Sequence, residues 1–484
     1  MMVTQPRQVR LVKCAILSPG LELRGQNPTD RTNLEKYGLD ISPFVQKIDI
    51  YESIFDNTMS GTLTVLENIG LTEYVPLVGV ETFALTFEID SVLTGTRRFS
   101  RAFRVVGIKD QSFPRHDWRL YTILLVTNEF VESVSSRICR AFRSTCEEAV
   151  KNIMEKDLHM TLSGPNKQLK SDERTFGNVD VVIPNYTPLQ AINYFSTLAQ
   201  TLKTPRESNF LFFETLEGFH FTSVQKLIET GNAKPDKKVF SVRPGEMTTN
   251  ATIPEEVALN SVLRVHQEQS FDLLYDITSG MLRSRMITFD FLARQVAQKN
   301  GGMPAMDSRY TDAFEATTHL ASPHAPKGYP VYPHNFDLSV NKNVRIFTVP
   351  TNLMSTQSTY IKSKDIMNEQ RMHEAIEKRN RQLREIQHLQ TLLDLPGQPD
   401  LRAGTVVVVN YPSSRMLEGK EKETTKAPVP IEGTPYYSGN HLVTSVHHIL
   451  TIKGPGSMEY RMNVKVNKDS LGTPLYGTSS TEGL

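Results

Sequence analysis

The stretch IDIYESIFDNTMSGTLTVLEN, residues 48–68, alternates apolar and polar side chains, turns over Asp56-Asn57 and alternates again. A period of two places Ile48, Ile50 and Ile54 on one face of an extended chain. On the return, Leu63 and Val65 share a face opposite Thr62 and Thr64. The segment therefore predicts a strand-turn-strand unit with one buried side.

The same signal continues through the first 130 residues. In YVPLVGVETFALTFEI, Phe83, Leu85 and Phe87 alternate with Thr86 and Glu88. RRFSRAFRVVGIKD and DWRLYTILLVTNEF add strands rich in β-branched and aromatic residues, punctuated by Gly61, Gly79, Gly95 and Gly107. Successive strands with short turns and no helix between them predict a barrel or sandwich.

The period then changes. Val131, Val134, Ile138, Phe142, Val150, Ile153 and Met154 fall at three-to-four spacing, which predicts helix. TPLQAINYFSTLAQTL announces another: Thr187 as N-cap, Pro188 in the first helical position, Gln190 completing a capping box. Its buried stripe is Leu189, Ile192, Phe195, Leu198 and Leu202. NFLFFETLEGFHFTS follows as a hairpin turning at Glu217-Gly218. Residues 131–254 thus make a mixed α+β unit, with the Pro- and Gly-bearing KPDKKVFSVRPGEM near its end.

At 270–291, SFDLLYDITSGMLRSRMITFDF reads as a second strand-turn-strand, turning at Ser279-Gly280. Like the first, it carries a Ser-Gly pair and an acidic residue at its exit, which suggests a duplicated β unit. Residues 296–350 are irregular, and a charged helix is expected over about Lys362–Leu383. LRAGTVVVVNYP, GNHLVTSVHHILTIK and MEYRMNVKVNKDSL close the chain as three strands, before a loose tail.

Charge and cysteines narrow the function classes. The 54 basic and 53 acidic residues of the 484-residue chain nearly cancel, so no global field draws it to nucleic acid or anionic lipid. Its 39% apolar and 22% charged content is that of a folded soluble protein. Three cysteines, Cys14, Cys139 and Cys146, exclude a disulfide scaffold and point to assembly in a reducing cytoplasm. Cys139 and Cys146 lie within the helical pattern, at a spacing that suits neither zinc nor a redox pair. The N-terminus lacks an unbroken apolar core of signal-peptide length, and no window approaches a membrane span.

No catalytic constellation emerges. GxSxG, HExxH and Walker patterns are missing, and GPGSM at 454–458 reads as a hairpin turn. His319, His324 and His334 stand at irregular spacing in a proline-rich loop without an acidic ligand pattern, and are expected as exposed loop histidines rather than metal ligands. His447 and His448, adjacent on a strand, must point to opposite faces. Arg98 and Arg104 share one face of RRFSRAFR and Phe99 and Phe103 the other, which reads as a solvated edge or subunit-facing strand in preference to a phosphate site. Catalytic, cofactor-binding and metal sites are all expected to be none.

As an ordered set, four stretches resemble the baseplate hub proteins of contractile-tailed bacteriophages, which are related to the hub module of type VI secretion spike proteins. The first is DIYESIFDNTMSGTLTVLEN running into GLTEYVPLVGVETFALTFE, where Glu52-Ser53-Ile54 fill an ESI-type hairpin and Pro76, Gly79 and Glu81 a "P-x-x-G-x-E" pattern. TPLQAINYFSTLAQ with NFLFFETLEGFHFTS is the second, and FDLLYDITSGMLRSRMITFD the third. The fourth is LPGQPDLRAGTVVVVNYP, then YYSGNHLVTSVHHILT, then YRMNVKVNKDSLG. Together they span Leu39 to Gly472.

The resemblance implies a mainly β fold with an α+β insertion: two tail-tube-type β-barrel domains plus a mixed α/β middle domain. Residues 1–130 would form the first barrel, 131–254 the middle domain, and 255–295 with 390–472 the second barrel. Residues 296–389 would be an insertion with an irregular loop and a charged helix, and 473–484 a flexible tail. It further implies a homotrimer in the virion tail, assembled in the host bacterial cytoplasm, that adapts a sixfold tail tube to a threefold central spike. Partners would be the spike, the tail tube or tube-initiator protein, and inner baseplate wedge and tape-measure proteins. Genome DNA would pass through without specific binding, no cofactor would be needed, and no membrane span is expected. The alternatives are a tail-associated cell-wall-degrading enzyme and another tube-type baseplate protein such as a tube initiator.

Overall fold

The structure, a computed structural model, describes residues 7–17, 39–71, 77–89, 97–115, 117–160, 169–171, 173–203, 207–242, 259–269, 271–290, 295–296, 306–309, 318–321, 332, 345–351, 378–411, 437–454 and 457–472. Outside these fall Pro76, His324, His334, the tail, most of the expected charged helix and the centre of GPGSM. Of that helix, residues 378–385 are described and helical.

Seven strands come first: β1 (Arg7–Leu17), β2 (Leu39–Asp40), β3 (Val45–Ser53), β4 (Ser60–Glu67), β5 (Thr82–Ile89), β6 (Arg97–Arg115) and β7 (Trp118–Val126). The opening hairpin is β3–β4, paired antiparallel with Ile48 opposite Leu63. Ile48, Ile50, Leu63 and Val65 are all buried, as the alternation requires. Each such side chain contributes about 1.5–3 kcal/mol by leaving water.

The middle of the chain alternates helix and strand. It runs α1 (Asn128–Ser135), β8 (Ile138–Thr145), α2 (Cys146–Lys156), β9 (Leu169–Lys170), β10 (Asn178–Tyr186), α3 (Pro188–Leu198), β11 (Phe210–Thr215), β12 (Gly218–Ser223) and α4 (Val224–Ala233). The predicted capping box of α3 forms, with Thr187 and Gln190 each bonding the other's amide. Helices α2 and α3 pack a separate core against the β8–β10 pair, centred on Ile153, Ile192 and Phe195. Two expectations fail here. Ile138 and Phe142 belong to strand β8, so Cys139 and Cys146 do not share a helix; Cys139 is exposed and Cys146 buried. Helix α3 ends at Leu198, which leaves Leu202 exposed beyond it.

The remainder contains β13 (Val239–Val242), β14 (Ser261–Val262), β15 (Arg264–Gln269), α5 (Leu273–Ser279), β16 (Arg283–Asp290), β17 (Gln295–Val296), β18 (Met306–Arg309) and β19 (Arg345–Thr351). It ends with β20 (Leu389–Pro396), β21 (Val406–Asn410), β22 (Gly439–Gly454) and β23 (Ser457–Lys468). The expected second hairpin at 270–291 is absent as such, because its first arm is helix α5. Asp272 caps that helix by accepting the Tyr275 amide, and Gly280 ends it at φ 82°, a left-handed conformation that favours glycine. Strand β16 pairs with β17, β18 and β19 in a sheet of its own, so the two Ser-Gly stretches are not structural repeats.

The largest sheet closes on itself twice. One ring runs β22-β3-β4-β7-β6-β5-β1-β23 and returns to β22, antiparallel throughout. The other runs β13-β21-β22-β23-β20-β15; β14, one residue from β15, then pairs back onto β13. Closure reduces the free edges of both rings, though Arg97–Phe103 of β6 and β15 are each paired on one side only among the described strands. The rings share one long hairpin: Ser445–Thr451 of β22 pairs with β3, while its first residues, Gly439–Leu442, pair with β21. Strand β23 divides likewise, Ser457–Tyr460 against β1 and Arg461–Lys468 against β20. One continuous apolar core, from Ile16 and Phe83 to Val407 and Val464, fills both.

Candidate functional site: the joints and an outer apolar patch

Glu52 continues the inward face of β3 past Ile48 and Ile50, so its carboxylate lies at the end of the first ring. Three other elements converge on it. The Leu216 amide, at the tip of the β11–β12 hairpin, donates to Oε1 at 2.8 Å, and the Ala403 amide donates to Oε2 at 3.3 Å. His448 of β22 holds Nε2 3.4 Å from Oε1, while its Nδ1 lies 2.8 Å from the Tyr460 hydroxyl. Burial alone would push the Glu52 carboxyl up, but His448, the Arg402 charge and the Leu216 amide outweigh it and hold the group below its usual range. One ionised side chain thus ties together the first ring, the shared hairpin, the middle unit and the 401–403 segment. Next in the motif, Ile54 is buried among Leu211, Phe213 and Leu442, and Ser53 Oγ accepts the Phe55 amide at 3.1 Å.

The turn of the same aromatic hairpin is fixed by Gly218 at φ 143° and by a Lys170–Glu217 ion pair at 2.6 Å. Just before it, Glu214 is buried and accepts the Met59 amide at 3.0 Å. Burial, with the Glu129 charge beside it, pushes its carboxyl up to about 8. Arg101 of β6 reaches across to the Thr215 carbonyl at 2.7 Å.

A second joint ties the chain's end to the 318–321 segment. Asp469 accepts the Leu320 amide and the Ser470 hydroxyl and lies 3.1 Å from His319 Nδ1, all of them buried. Burial raises the Asp469 carboxyl, yet His319, Ser470 and the Leu320 amide together lower it below its usual value. Glu385, nearby on the 378–385 helix, is pushed up to about 7 by burial. His319 is therefore an interior ion-pairing residue, where the sequence suggested an exposed loop histidine. A third buried pair joins His388 Nδ1 to Asp276 at 2.8 Å, with the Tyr332 hydroxyl donating to the same carboxylate. These acid–imidazole pairs are buried, and each joins segments distant in the sequence.

On the outside, residues of the second motif shape a loop. The Glu81 carboxylate, itself buried, accepts the Val78 and Gly79 amides at 2.9 and 2.8 Å, with Gly79 at φ 96°. Arg104 fastens the loop to its surroundings, donating from Nη1 to the Val80 carbonyl and from Nε to Asn128 Oδ1. Asn128 begins α1, whose Phe130 and Val134 lie four apart on one face. Val78 (72% exposed) and Val80 of the loop, Val106 of β6, and Phe130 and Val134 (59% exposed) of α1 are exposed apolar side chains on the elements that Arg104 ties together. Such a patch marks a contact surface more often than a solvated one. Arg104 is thus bound within the chain and paired on both sides, whereas Arg97–Phe103, with Arg98, pair with β5 alone among the described strands, an edge as the sequence suggested.

The paired histidines follow the alternation: His448 points inward, while His447 points out, 2.7 Å from Asp49 and stacked on Tyr51. Sequence reasoning flagged Glu52, Gly79, Glu81 and the 210–223 hairpin but gave no reason for them. It missed Glu214, Arg402 and Asp469, whose partners are distant in the chain. Groups of three or more potential metal ligands do not occur among the described residues, and none of their helices is long and apolar enough to cross a membrane.

No protein-family model matches the chain, nor does any curated protein. Among solved structures, the chain is similar to the tail protein from Neisseria meningitidis MC58, with a TM-score of 0.46 and 10% identity, covering 94% of this chain and 96% of that one. It is also similar to the 43 kDa tail protein of prophage MuSo2 from Shewanella oneidensis, with a TM-score of 0.44 and 9% identity, covering 89% and 96%. A chain of the Francisella PdpA–VgrG complex gives a TM-score of 0.43 and 8% identity, covering 98% of this chain and 54% of that one. At these scores the likeness is one of loose outline, and the function of this chain rests on its own residues.

Proposed function

We propose that this chain is a structural subunit of a phage-type tail baseplate: a homotrimeric hub that joins a sixfold tube to a threefold spike and contributes to the channel for genome ejection. The observation that carries the reading is the pair of closed strand rings built on one shared hairpin. A chain with two rings, repeated three times about an axis, presents six β faces on one side and keeps threefold symmetry on the other. The rings differ in strand number, so the match to a six-membered tube would lie in their outer surfaces.

The motif residues support the same reading. Glu52, Ile54, Gly79 and Glu81 hold joints and loops in place, which is the work of a scaffold and not of a reaction centre. In this reading the two rings are tube-type barrels and the α+β unit is held to the first through Leu216; the expected bounds shift, since β13 pairs within the second ring while β16 and β17 form part of a separate sheet. The apolar surface around Arg104 is the natural place for a neighbouring subunit, since a stable interface needs a desolvated apolar centre. The spike and the tube or its initiator are the expected partners, and the virion tail the location.

Native mass measurement of the purified protein, alone and co-expressed with its spike, tests the proposal. A trimer whose axial image shows six lobes is expected. A monomer or stable hexamer with no affinity for the spike overturns it, and turnover of cell-wall polymer would favour the enzyme reading.

A further inference from the structure

Helix α5 has an inner and an outer side. On the inner side Leu273 and Ile277 pack against Met281, Leu282 and Tyr332 as a small core. Phe271, Leu274 and Tyr275 stand in solvent instead, at 69%, 76% and 45% exposure. Among the described residues, Leu274 and Val78 are the two most exposed large apolar side chains. Exposed apolar side chains clustered in this way mark a contact surface.

The outer side is rigidly presented. Asp272 accepts the Tyr275 amide at 2.9 Å, and Gly280 ends the helix at φ 82°. Asp276 anchors the helix from beneath, accepting the Tyr332 hydroxyl at 2.8 Å and lying 2.8 Å from His388 Nδ1. The Arg384 guanidinium sits 5.0 Å from the centre of the Tyr275 ring. A surface ordered beforehand loses little entropy on contact, and aromatic side chains are enriched at the centres of interfaces.

The place of this face in the double ring says what covers it. Helix α5 follows β15 in the chain, and His388, to which it is tied, directly precedes β20, so α5 hangs on the β15–β20 flank of the second ring. The other exposed apolar set belongs to the first ring: Val78 and Val80 in the loop entering β5, Val106 in β6, and Phe130 and Val134 in the helix leaving β7. The sheet order β7-β6-β5-β1-β23-β20-β15 puts these flanks at opposite ends, with the shared strand β23 between them. A closed ring of identical copies needs two different mating surfaces on each chain, one for each neighbour.

We infer that α5 of one copy docks, through Phe271, Leu274 and Tyr275, on the exposed valines and Phe130 of the next copy, second ring against first. The inference rests on the trimeric reading above and names its contact. Rings of the two kinds then alternate around the axis, and each boundary between copies joins the same two kinds that the shared hairpin joins within a chain.

Leu274→Glu and Val134→Glu in the intact protein test it. Both side chains are exposed, so Tm is expected to stay at the parent's value. Sedimentation is expected to find each variant at the monomer mass, at concentrations where the parent is a trimer. Joining follows from cysteines: Leu274→Cys combined with Val134→Cys, in a Cys139→Ser background that removes the exposed native thiol, should be linked into covalent trimers by a short bismaleimide. Either new cysteine alone should leave single chains. A trimer that survives one or both glutamates, or Leu274→Cys linking to itself, overturns the docking and leaves the trimer standing. A parent that stays monomeric even with its spike removes the trimeric reading and the docking with it.

Discussion

The amide of Leu216 donates a 2.8 Å hydrogen bond to the carboxylate of Glu52, across 164 positions of sequence. Both groups are buried, so the bond is an obligation as well as a contact: neither has water to turn to. Through it, together with the Glu214–Met59 and Arg101–Thr215 bonds, the aromatic hairpin of the middle unit is held against the end of the first ring.

Replacing that group should therefore be costly in proportion to what is left unpaired. Glu52→Ala strands two amides and His448, and is expected to destabilise by about 3–5 kcal/mol. Glu52→Gln keeps an acceptor for Leu216 and should cost less than half as much. Urea midpoints of the two variants against the parent measure the difference.

Close packing makes a different prediction at Gly397. A Cβ there would fall 1.9 Å from Cδ1 of Tyr460, whose hydroxyl meets His448. Gly397→Ala must push the ring aside, and is expected to lower stability by about 1–3 kcal/mol. Thermal melting of the variant checks it, and an unchanged Tm would mean the ring has room to move.

Glu214 gives a pH dependence with a definite sign. Its carboxyl is raised to about 8 from an ordinary 4.5, so between those values the folded chain holds a proton that the unfolded chain has lost. Stability from this group is present at the acid end and declines as pH rises through the window, by at most about 1.4 kcal/mol per unit. Glu214→Gln should flatten the Tm profile between pH 5 and 8 and raise Tm at pH 8.5. A variant profile parallel to the parent's would refute the assignment.

Asp469 works in the opposite sense, because its carboxyl is held below the usual value. Its contribution is complete above the unfolded value and is lost as pH falls through the folded one. At neutral pH, Asp469→Asn removes the charge facing His319 and weakens the bond from Leu320. Hydrogen exchange at Leu320 and Ala321 is expected to quicken roughly tenfold or more, the loss of a charge-assisted bond, with β3 and β4 unaffected.

The apolar surface around Arg104 predicts an assembly defect without a folding defect. Val134 is exposed in the single chain, so Val134→Glu should shift its Tm by less than about 0.5 kcal/mol equivalent. Buried against a neighbouring subunit, the same carboxylate would be desolvated, and sedimentation should then show the trimer replaced by monomer. Persistence of the trimer would move the contact elsewhere on the surface.

Much of this architecture is legible in the residues. The β3–β4 hairpin follows from a period of two, α3 from its capping box, and the β11–β12 hairpin from a dense aromatic alternation closed by Glu217-Gly218. The misreadings share a cause. Ile138 and Phe142 are four apart, a spacing that is two strand periods and nearly one helical turn, so burial alone did not separate strand from helix. At 270–291 the signal was available: Asp272 and Gly280 are an N-cap and a C-cap eight residues apart. The joints were not legible, because Glu52, Leu216, Ala403 and His448 meet only after the rings close. Sequence resemblance marked Glu52 without supplying a reason; the fold supplies it.

The hairpin common to both rings has a mechanical consequence. Each of its strands gives part of its length to one cylinder and part to the other, so neither cylinder can rotate or tilt freely while its twin stays intact. A load applied at one end is carried to the far end by covalent backbone, with no hinge between. The molecule behaves less like two beads on a string than like a pair of wheels forged on one axle, and heat should release both together in a single cooperative step.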